Sequence, residues 1–297
     1  MGRIVDSQEV IVDSQEVNGD ATGRARNQLL YGADRKSLAA GLTCLLIVGG
    51  VATLGAILAP DPFAQNSGIA LTPPSRYHLL GTDQLGRDMF ARIAAGTRYT
   101  IGVSVASLVV GGAVGSAAGI VSGYFNKTWG RLIDPVMEFF MSFPGLLLGI
   151  IAAASFGNNL PSLVAAISTA LIPRYAIVVR AETLALREMP FVEGARVIGV
   201  GDLLIMKRHI LRNVWSGILL LCIVYFPLVV AFEASLSYLG LGVPADVPTL
   251  GRLIGDGQDL FIIAPWISTW PGVSLLLIAL GFNLVSDSLT SRGESNV

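Results

Sequence analysis

The sequence predicts an all-α membrane protein with about six transmembrane helices. Of its 297 residues, 53% are hydrophobic and 14% are charged, and the mean hydropathy of +0.65 lies far from a soluble profile. Several uncharged runs supply the roughly 20 helical residues that cross a bilayer. Cys44 and Cys222 lie far apart inside such runs, which favours small core side chains over a disulfide framework or a metal site.

The chain begins with a polar segment, residues 1–37, that contains a tandem copy of IVDSQEV at 4–10 and 11–17. Two copies are too few for a repeat array, which needs at least ~3 units. We therefore expect a disordered cytoplasmic tail. No small-residue cleavage pattern follows the first apolar run, so we expect this run to remain as a membrane anchor and not to be a signal peptide.

Runs of uncharged residues predict the positions of the transmembrane spans. The run at 139–173 is too long for one crossing, and Gly157, Asn158, Asn159 and Pro161 provide turn chemistry that divides it. The predicted spans are 38–59, 99–124, 134–156, 161–180, 213–233 and 263–287. They leave outer segments at 60–98 and 234–262, an inner loop at 181–212 and a tail at 288–297.

Basic residues predict the orientation, because Lys and Arg accumulate in short cytoplasmic loops. With the N terminus inside, only five of the 20 Lys and Arg residues fall on the outer side. Both termini are therefore expected in the cytoplasm. Trp266 and Trp270 open the last apolar run, where they suit either an outer interface belt or packing in the bundle.

Small residues recur at every fourth position of the second span. The stripe consists of Gly111, Gly115, Gly119 and Gly123. Such a smooth face lets another helix backbone approach closely, which replaces the missing hydrophobic drive for association in lipid. We expect this helix at the centre of a bundle, whether its neighbour belongs to the same chain or to another.

The outer segment before this span carries an alternation of charged and apolar residues. Its candidate residues are Thr82, Asp83, Gly86, Arg87, Asp88 and Arg92. Thr82 or Asp83 can cap a short helix, and Asp88 with Arg92 forms an acid-first i,i+4 pair. We expect an amphipathic segment at the membrane interface, and both bracing of the bundle and docking of an external partner remain open.

The inner loop at 181–212 holds five basic residues, and Arg174 and Arg180 lie just before it. Pro190 can begin a helix, and Gly199 with Gly201 can end it in a left-handed cap. Asp202 is placed to cap a second helix that returns to the membrane. We expect a short helix between two turns that projects into the cytoplasm.

One face of this short helix is apolar, because Phe191, Ala195 and Ile198 recur at helical spacing. Such a helix suits a groove on a soluble partner, with apolar anchors that give affinity and flanking charges that give register. The residues alone leave a plain surface loop equally open.

Three ordered motifs resemble a known family. Residues 193–199 (EGARVIG), followed by 208–213 (RHILRN), are similar to the cytoplasmic EAA loop of binding-protein-dependent ABC importers. Residues 78–92 and 233–242 resemble the outer signatures of the C-type permease of dipeptide, oligopeptide and nickel systems.

The resemblance implies a type I ABC importer permease fold with a coupling helix that docks on an ATPase subunit. The implied coupling residues are Glu193, Gly194, Ala195 and Gly199, with His209, Leu211 and Asn213 supporting the return helix. Gly194 stands where the family usually has Ala, and Arg212 where it usually has Pro. Gly194 lowers helix propensity by ~1 kcal/mol, so both departures put the coupling strength in doubt.

The resemblance also implies the partners. It points to two ATPase subunits, a second and homologous permease, an extracytoplasmic peptide-binding protein and a bacterial cell membrane, without nucleic acid. The sequence lacks the phosphate-cradling G-x-x-x-x-G-K-[ST] loop, so we expect no ATPase site and no cofactor in this chain, with ATP and Mg held by the partner subunits. Dipeptides or oligopeptides are the expected cargo, with nickel or another small solute as alternatives.

Rival functions depend on membrane-embedded ionisable residues. An intramembrane hydrolase or a haem protein is disfavoured, because His78 and His209 fall outside the predicted spans. An ion-coupled secondary transporter is the stronger rival, since membrane carboxylates are functional candidates. Glu138 and Glu233 are those nearest helix interiors, and their positions near helix ends favour a structural role.

Overall fold

A computed structural model describes residues 36–241 and 243–294, with side chains up to 289. This part of the chain is helical and contains no β-sheet, only an isolated bridge between Thr82 and Asp88. The helices are α1 Lys36–Leu58, α2 Met89–Tyr124, α3 Arg131–Met141, α4 Gly145–Phe156, α5 Leu160–Arg187, α6 Pro190–Val197, α7 Asp202–Ile205, α8 Leu211–Tyr238, α9 Leu250–Asp256 and α10 Trp266–Glu294.

The pair α2 and α5 forms the centre of the bundle. The predicted glycine stripe of α2 faces α5 of the same chain. An added Cβ would lie 2.8 Å from the Leu171 Cβ at Gly111 and 2.6 Å from the Ala176 carbonyl oxygen at Gly119. Large side chains recur at every fourth position of α5 and are fully buried, namely Leu163, Ile167, Leu171, Tyr175 and Val179. A small-residue stripe on one helix thus receives a large-residue stripe on the other.

The remaining long helices pack around this pair. α8 contacts α2 and α5, and α9 and α10 pack on α8. Phe226 of α8 stacks on Phe282 of α10 with ring centroids 3.8 Å apart. α1 approaches α2 closely at Gly55, which lies against Ala94. The bundle is therefore built on one axis, the α2–α5 contact.

Several helices extend beyond the predicted spans. α2 starts at Met89 and not at residue 99, because Asp88 caps it by accepting a hydrogen bond from the Ala91 N–H at 2.9 Å. α7 and α8 join through a π-helical turn, Met206–Ile210, into one apolar rod Asp202–Tyr238. Counting uncharged residues misses such extensions, since charged residues continue a helix wherever they find polar partners or water.

The predicted span 134–156 is instead broken. The segment Asn126–Met141 and α4 meet at an angle of 97°. Pro144 causes the break, since proline restricts the preceding residue and supplies no N–H to the helix. Pro144 itself is extended, with a ψ of 124°. Pro144 is visible in the sequence, but the uncharged residues around it led to the prediction of one unbroken span.

Five helices of the described chain are long and apolar enough to cross a membrane, and the bent pair provides a sixth if it counts as one span. The duplicated tail and Gly242 of the third motif lie outside the described residues.

Candidate functional site

The short helix α6 lies between the spans α5 and α8. Pro190 occupies its first turn, and Gly199 follows its end with a φ of +81°, where a side chain would strain the backbone. The Val200 N–H donates to the Ala195 carbonyl at 3.0 Å and closes the turn. A proline at its start and a glycine just after its end thus limit α6 to eight residues.

The side chains of α6 divide between the chain's own core and the exterior. Val192 and Ala195 are buried, whereas Glu193 and Gly194 are exposed on the helix. The expectation that Ala195 shares one apolar face with Phe191 and Ile198 therefore differs from the structure, because Ala195 packs into the core while Phe191 is exposed and Ile198 lies beyond the end of α6 at Val197.

A larger exposed apolar surface surrounds this helix than the sequence indicated. It is formed by Phe191, Val197, Ile198, Leu203 and Leu204, which we call the α6–α7 apolar surface. Val197 is 81% exposed and Ile198 80%. Exposed apolar clusters of this kind mark interaction sites. The adjacent leucines of α7 were the signal that sequence reasoning missed.

The rod Asp202–Tyr238, which returns to the bundle, contacts α6 near its start. The His209 ring lies 6.1 Å from the Phe191 ring, centroid to centroid. The Asn213 Nδ2 donates to the His209 carbonyl at 2.5 Å. Leu211 is partly buried against the core. The sequence-predicted residues His209, Leu211 and Asn213 therefore lie at the start of the rod that leads back into the bundle.

Asp202 does not cap α7 as expected, because Gly201 is the N-cap residue and Asp202 is the first helical residue. Its Oδ1 instead accepts a hydrogen bond from the Tyr124 hydroxyl at 2.7 Å. This contact connects α7 to the C-terminal end of α2, and sequence spacing gave no indication of it.

Arg180 and Asp134 form an ion pair between α5 and α3, with Nη2 and Oδ2 2.6 Å apart. Arg180 also donates to the Asn126 Oδ1 at 3.0 Å. The pair borders a partly open cavity of about 120 Å³ that Glu138 also lines. It fastens the loosely packed α3, which has no buried residue, to the central α5.

The outer signature forms a buried knot and not an amphipathic interface segment. Thr82, Asp83, Arg87, Asp88 and Arg92 are each at most 7% exposed. Thr82 does not cap a helix, because its hydroxyl donates to the Ile69 carbonyl at 2.5 Å. Gly86 has a φ of +68° and lies against the Asn66 backbone, where a Cβ would clash. Trp266 donates to the Thr82 carbonyl at 3.0 Å.

The charges of this knot pair differently from the prediction. Asp88 pairs with His78, Nδ1 to Oδ2 2.9 Å, and not with Arg92. Arg92 lies instead between Asp83 at 3.5 Å and Asp256 at 3.9 Å. Asp83 does not cap a helix but accepts from the Arg87 Nε at 2.6 Å. These contacts join the start of α2 to the segment before it and to α9, which favours bracing of the bundle.

Glu233 is fully buried near the outer end of α8. Its Oε1 accepts a hydrogen bond from the Ser237 hydroxyl at 2.7 Å, and the hydroxyls of Thr100 and Thr249 lie beside it. The carboxylate therefore joins α8 to α2 and to the start of α9. The Oε2 atom is buried and has no hydrogen-bond partner among the described residues, and the contacts of the carboxylate with three elements favour a structural role. Among residues 36–241 and 243–294, no three His, Cys, Asp or Glu side chains are grouped to hold a metal ion.

Known proteins resemble this chain in sequence. A protein of Brucella suis biovar 1 (strain 1330), which carries the provisional name of a peptide transport system permease protein, is 36% identical over 260 residues and the match covers 86% of each chain. The glutathione transport system permease protein GsiD of Pectobacterium atrosepticum (strain SCRI 1043) is 35% identical over 216 residues, 73% of this chain and 72% of that protein.

The fold also matches solved structures. A chain of the MetNI methionine ABC transporter in an inward-facing conformation superposes with a TM-score of 0.55 at 18% identity, covering 69% of this chain and 97% of that one. A second crystal form gives a TM-score of 0.51 at 16% identity, with 67% and 97% covered. The predicted all-α ABC importer permease fold is thereby confirmed.

One family model matches residues 115–294, from the glycine stripe of α2 through the α6–α7 apolar surface to α10. The chain thus belongs to the family of binding-protein-dependent transport system inner membrane components.

Proposed function

We propose that this chain is a permease subunit of an ATP-driven importer of dipeptides or oligopeptides. It forms half of the translocation pathway and couples to a separate ATPase through α6. Both termini lie in the cytoplasm of a bacterial cell, and α6 projects from the cytoplasmic face.

The observation that carries this proposal is the α6–α7 apolar surface. Val192 and Ala195 anchor α6 to the bundle, while Val197, Ile198 and Leu203 are between 77% and 81% exposed. An apolar helix face that projects from a bundle suits a groove on a soluble partner. Glu193 and Arg196 flank it with charges that set the register of docking.

The proposed cargo follows the relatives. One carries a peptide transport name, and the other is named for glutathione, which is itself a small peptide. Both matches cover more than two thirds of either protein. A cargo of peptide size and chemistry is thus the proposal that suits both relatives.

The proposed partners are a second and homologous permease, two ATPase subunits and an extracytoplasmic peptide-binding protein. ATP and Mg are held by the ATPase subunits. α3 supports a permease heterodimer, because none of its residues is buried and it exposes Leu132, Val136 and Phe139. Glu138 on this helix suits a water-filled pathway, since lipid contact with a carboxylate is unfavourable.

Reconstitution tests the proposal. The tagged chain, expressed with its neighbouring reading frames, is expected to co-purify with an ATPase. Proteoliposomes supplied with the purified binding protein are expected to accumulate a labelled dipeptide in an ATP-dependent and vanadate-sensitive manner. Accumulation driven by an ion gradient, without an ATPase, contradicts the proposal and favours a secondary transporter.

Charge reversal at Glu193 tests the docking surface. Glu193→Lys is expected to leave the chain in the membrane, because the residue is exposed on α6, but to abolish ATP-driven uptake. Asp246→Lys makes the same charge change in the exposed segment between α8 and α9 and serves as the control. If Glu193→Lys and the control take up dipeptide equally well, α6 is not the docking helix.

A further inference from the structure

Tyr124 is the last residue of α2, and its hydroxyl and carbonyl groups contact residues of α5, α6 and α7. It is 4% exposed although it lies at a helix end. Its hydroxyl donates to Asp202 Oδ1 at 2.7 Å and accepts from the Arg196 Nε at 3.3 Å. One hydroxyl thus contacts both helices that form the α6–α7 apolar surface.

The ring and the backbone of Tyr124 add further contacts. The guanidinium carbon of Arg196 lies 5.0 Å from the ring centre, a cation–π arrangement. The Tyr124 carbonyl accepts from the Arg187 Nη1 at 3.2 Å, and Arg187 is the last residue of α5. Tyr124 therefore contacts α5, α6 and α7 from the end of α2.

The two partners of the Tyr124 hydroxyl lie at the two ends of the turn between α6 and α7. Arg196 lies near the end of α6 and Asp202 begins α7, so the two flank the exposed Val197 and Ile198. A partner that grips this apolar turn pulls on its two ends. Both ends converge on one hydroxyl group, which adds to the anchoring of α6 by the buried Val192 and Ala195 and to its short connection to α5 at 188–189.

α2 and α5 are held together by the glycine stripe, which continues to the same end of the bundle. A Cβ on Gly123 would lie 2.8 Å from the Thr183 Cβ of α5. Close-packed helices shift as bodies and not by continuous deformation. A displacement delivered to Tyr124 is therefore delivered to the α2–α5 pair.

We propose that Tyr124 is a positioning residue that links the α6–α7 apolar surface to the central α2–α5 pair, so that movement of the ATPase moves this pair. The inference rests on the proposed function and adds the attachment point through which the coupling helix acts. Arg196 and Asp202 are the partners through which the Tyr124 hydroxyl acts.

The test uses the complete reconstituted complex with its binding protein and a labelled dipeptide. Tyr124→Phe keeps the ring beneath Arg196 but removes the bond to Asp202. We expect unchanged co-purification with the ATPase, continued ATP hydrolysis, and a rise of about fivefold or more in ATP consumed per dipeptide imported. Asp202→Asn is expected to raise the same ratio, and the double variant to be no worse than Tyr124→Phe, since both changes weaken one bond.

Tyr175→Phe is the matched control. It also removes a buried tyrosine hydroxyl, which donates to the Cys222 Sγ at 3.3 Å within the bundle, but it leaves α6 untouched. A ratio unchanged in Tyr124→Phe, an equal rise in Tyr175→Phe, or additive effects of Tyr124→Phe and Asp202→Asn each overturn the inference. Absence of an ATPase from the unmodified complex overturns the proposed function instead, so the two failures are distinguishable.

Discussion

Asp83 shows how much a single carboxylate contributes at the outer end of the bundle. Its Oδ1 accepts from the Leu85 and Arg87 N–H groups at 2.8 and 2.9 Å. Its Oδ2 faces the Arg87 Nε at 2.6 Å and the Arg92 Nε at 3.5 Å. Because both arginines are buried, they have little access to water as a substitute.

Removal of this carboxylate is expected to destabilise the protein strongly. Asp83→Ala leaves Arg87 and Arg92 without their nearest counter-charge, and breaking a buried ion pair in this way costs about 3–5 kcal/mol. The exposed Asp246→Ala is the control. Thermal unfolding in detergent measures the difference, and equal midpoints for the two variants show that the outer knot is not a stabilising element.

Residue contacts of this kind were only partly predictable. The sequence placed Asp88 and Arg92 on one helix and paired them, since i,i+4 spacing is the local rule. The structure pairs Asp88 instead with His78 and places Arg92 between Asp83 and Asp256, none of which lies at i,i+4 spacing from its partner. Local periodicity says nothing about such long-range partners, and the same limit hid the Tyr124–Asp202 bond.

At the scale of elements, the α2–α5 contact was the most predictable feature. A small residue at every fourth position requires a close neighbour, and α5 supplies it. The bend between α3 and α4 was missed because uncharged residues run through it, although Pro144 marked its place. The length of an apolar run indicates whether a segment can cross the membrane, whereas a break in the helix within that run depends on single residues.

Glycine-to-alanine substitutions are expected to act with opposite sign on the two faces of α2. At Gly115 an added Cβ would collide with the Ile172 carbonyl oxygen, whereas at Gly102 no atom lies within 4 Å. Gly115→Ala should therefore destabilise by about 1–3 kcal/mol through overpacking. Gly102→Ala should be neutral or stabilising, by up to ~1 kcal/mol from helix propensity.

Thermal unfolding of the two purified variants measures this contrast. If Gly115→Ala is as stable as Gly102→Ala, α2 and α5 are not in the close contact described. A loss of stability in both variants points instead to the exposed face of α2 as a further packing surface.

The two ends of the helix bundle carry different structural features. α5 descends to α6 and the Asp202–Tyr238 rod ascends to α9, so the α6–α7 apolar surface and the α9–α10 loop lie at opposite ends of the bundle. The Tyr124 junction serves one end and the buried charge knot the other. The distribution of Lys and Arg predicts that the α6 end faces the cytoplasm, and every proposed partner depends on this predicted orientation.

Thiol labelling tests the orientation directly. Ile198 and Ile262 are 80% and 97% exposed at the two ends, so a cysteine at either position is accessible from its own side. The background is Cys44→Ala with Cys222→Ser, because serine keeps an acceptor for the Tyr175 hydroxyl. In cells that express this chain without the ATPase subunits, which would cover Ile198, a membrane-impermeant maleimide is expected to label Ile262→Cys but not Ile198→Cys while the cells are intact, and both after permeabilisation. Labelling of Ile198→Cys in intact cells places α6 outside, where no ATPase can grip it, and overturns the assembly proposed for this chain.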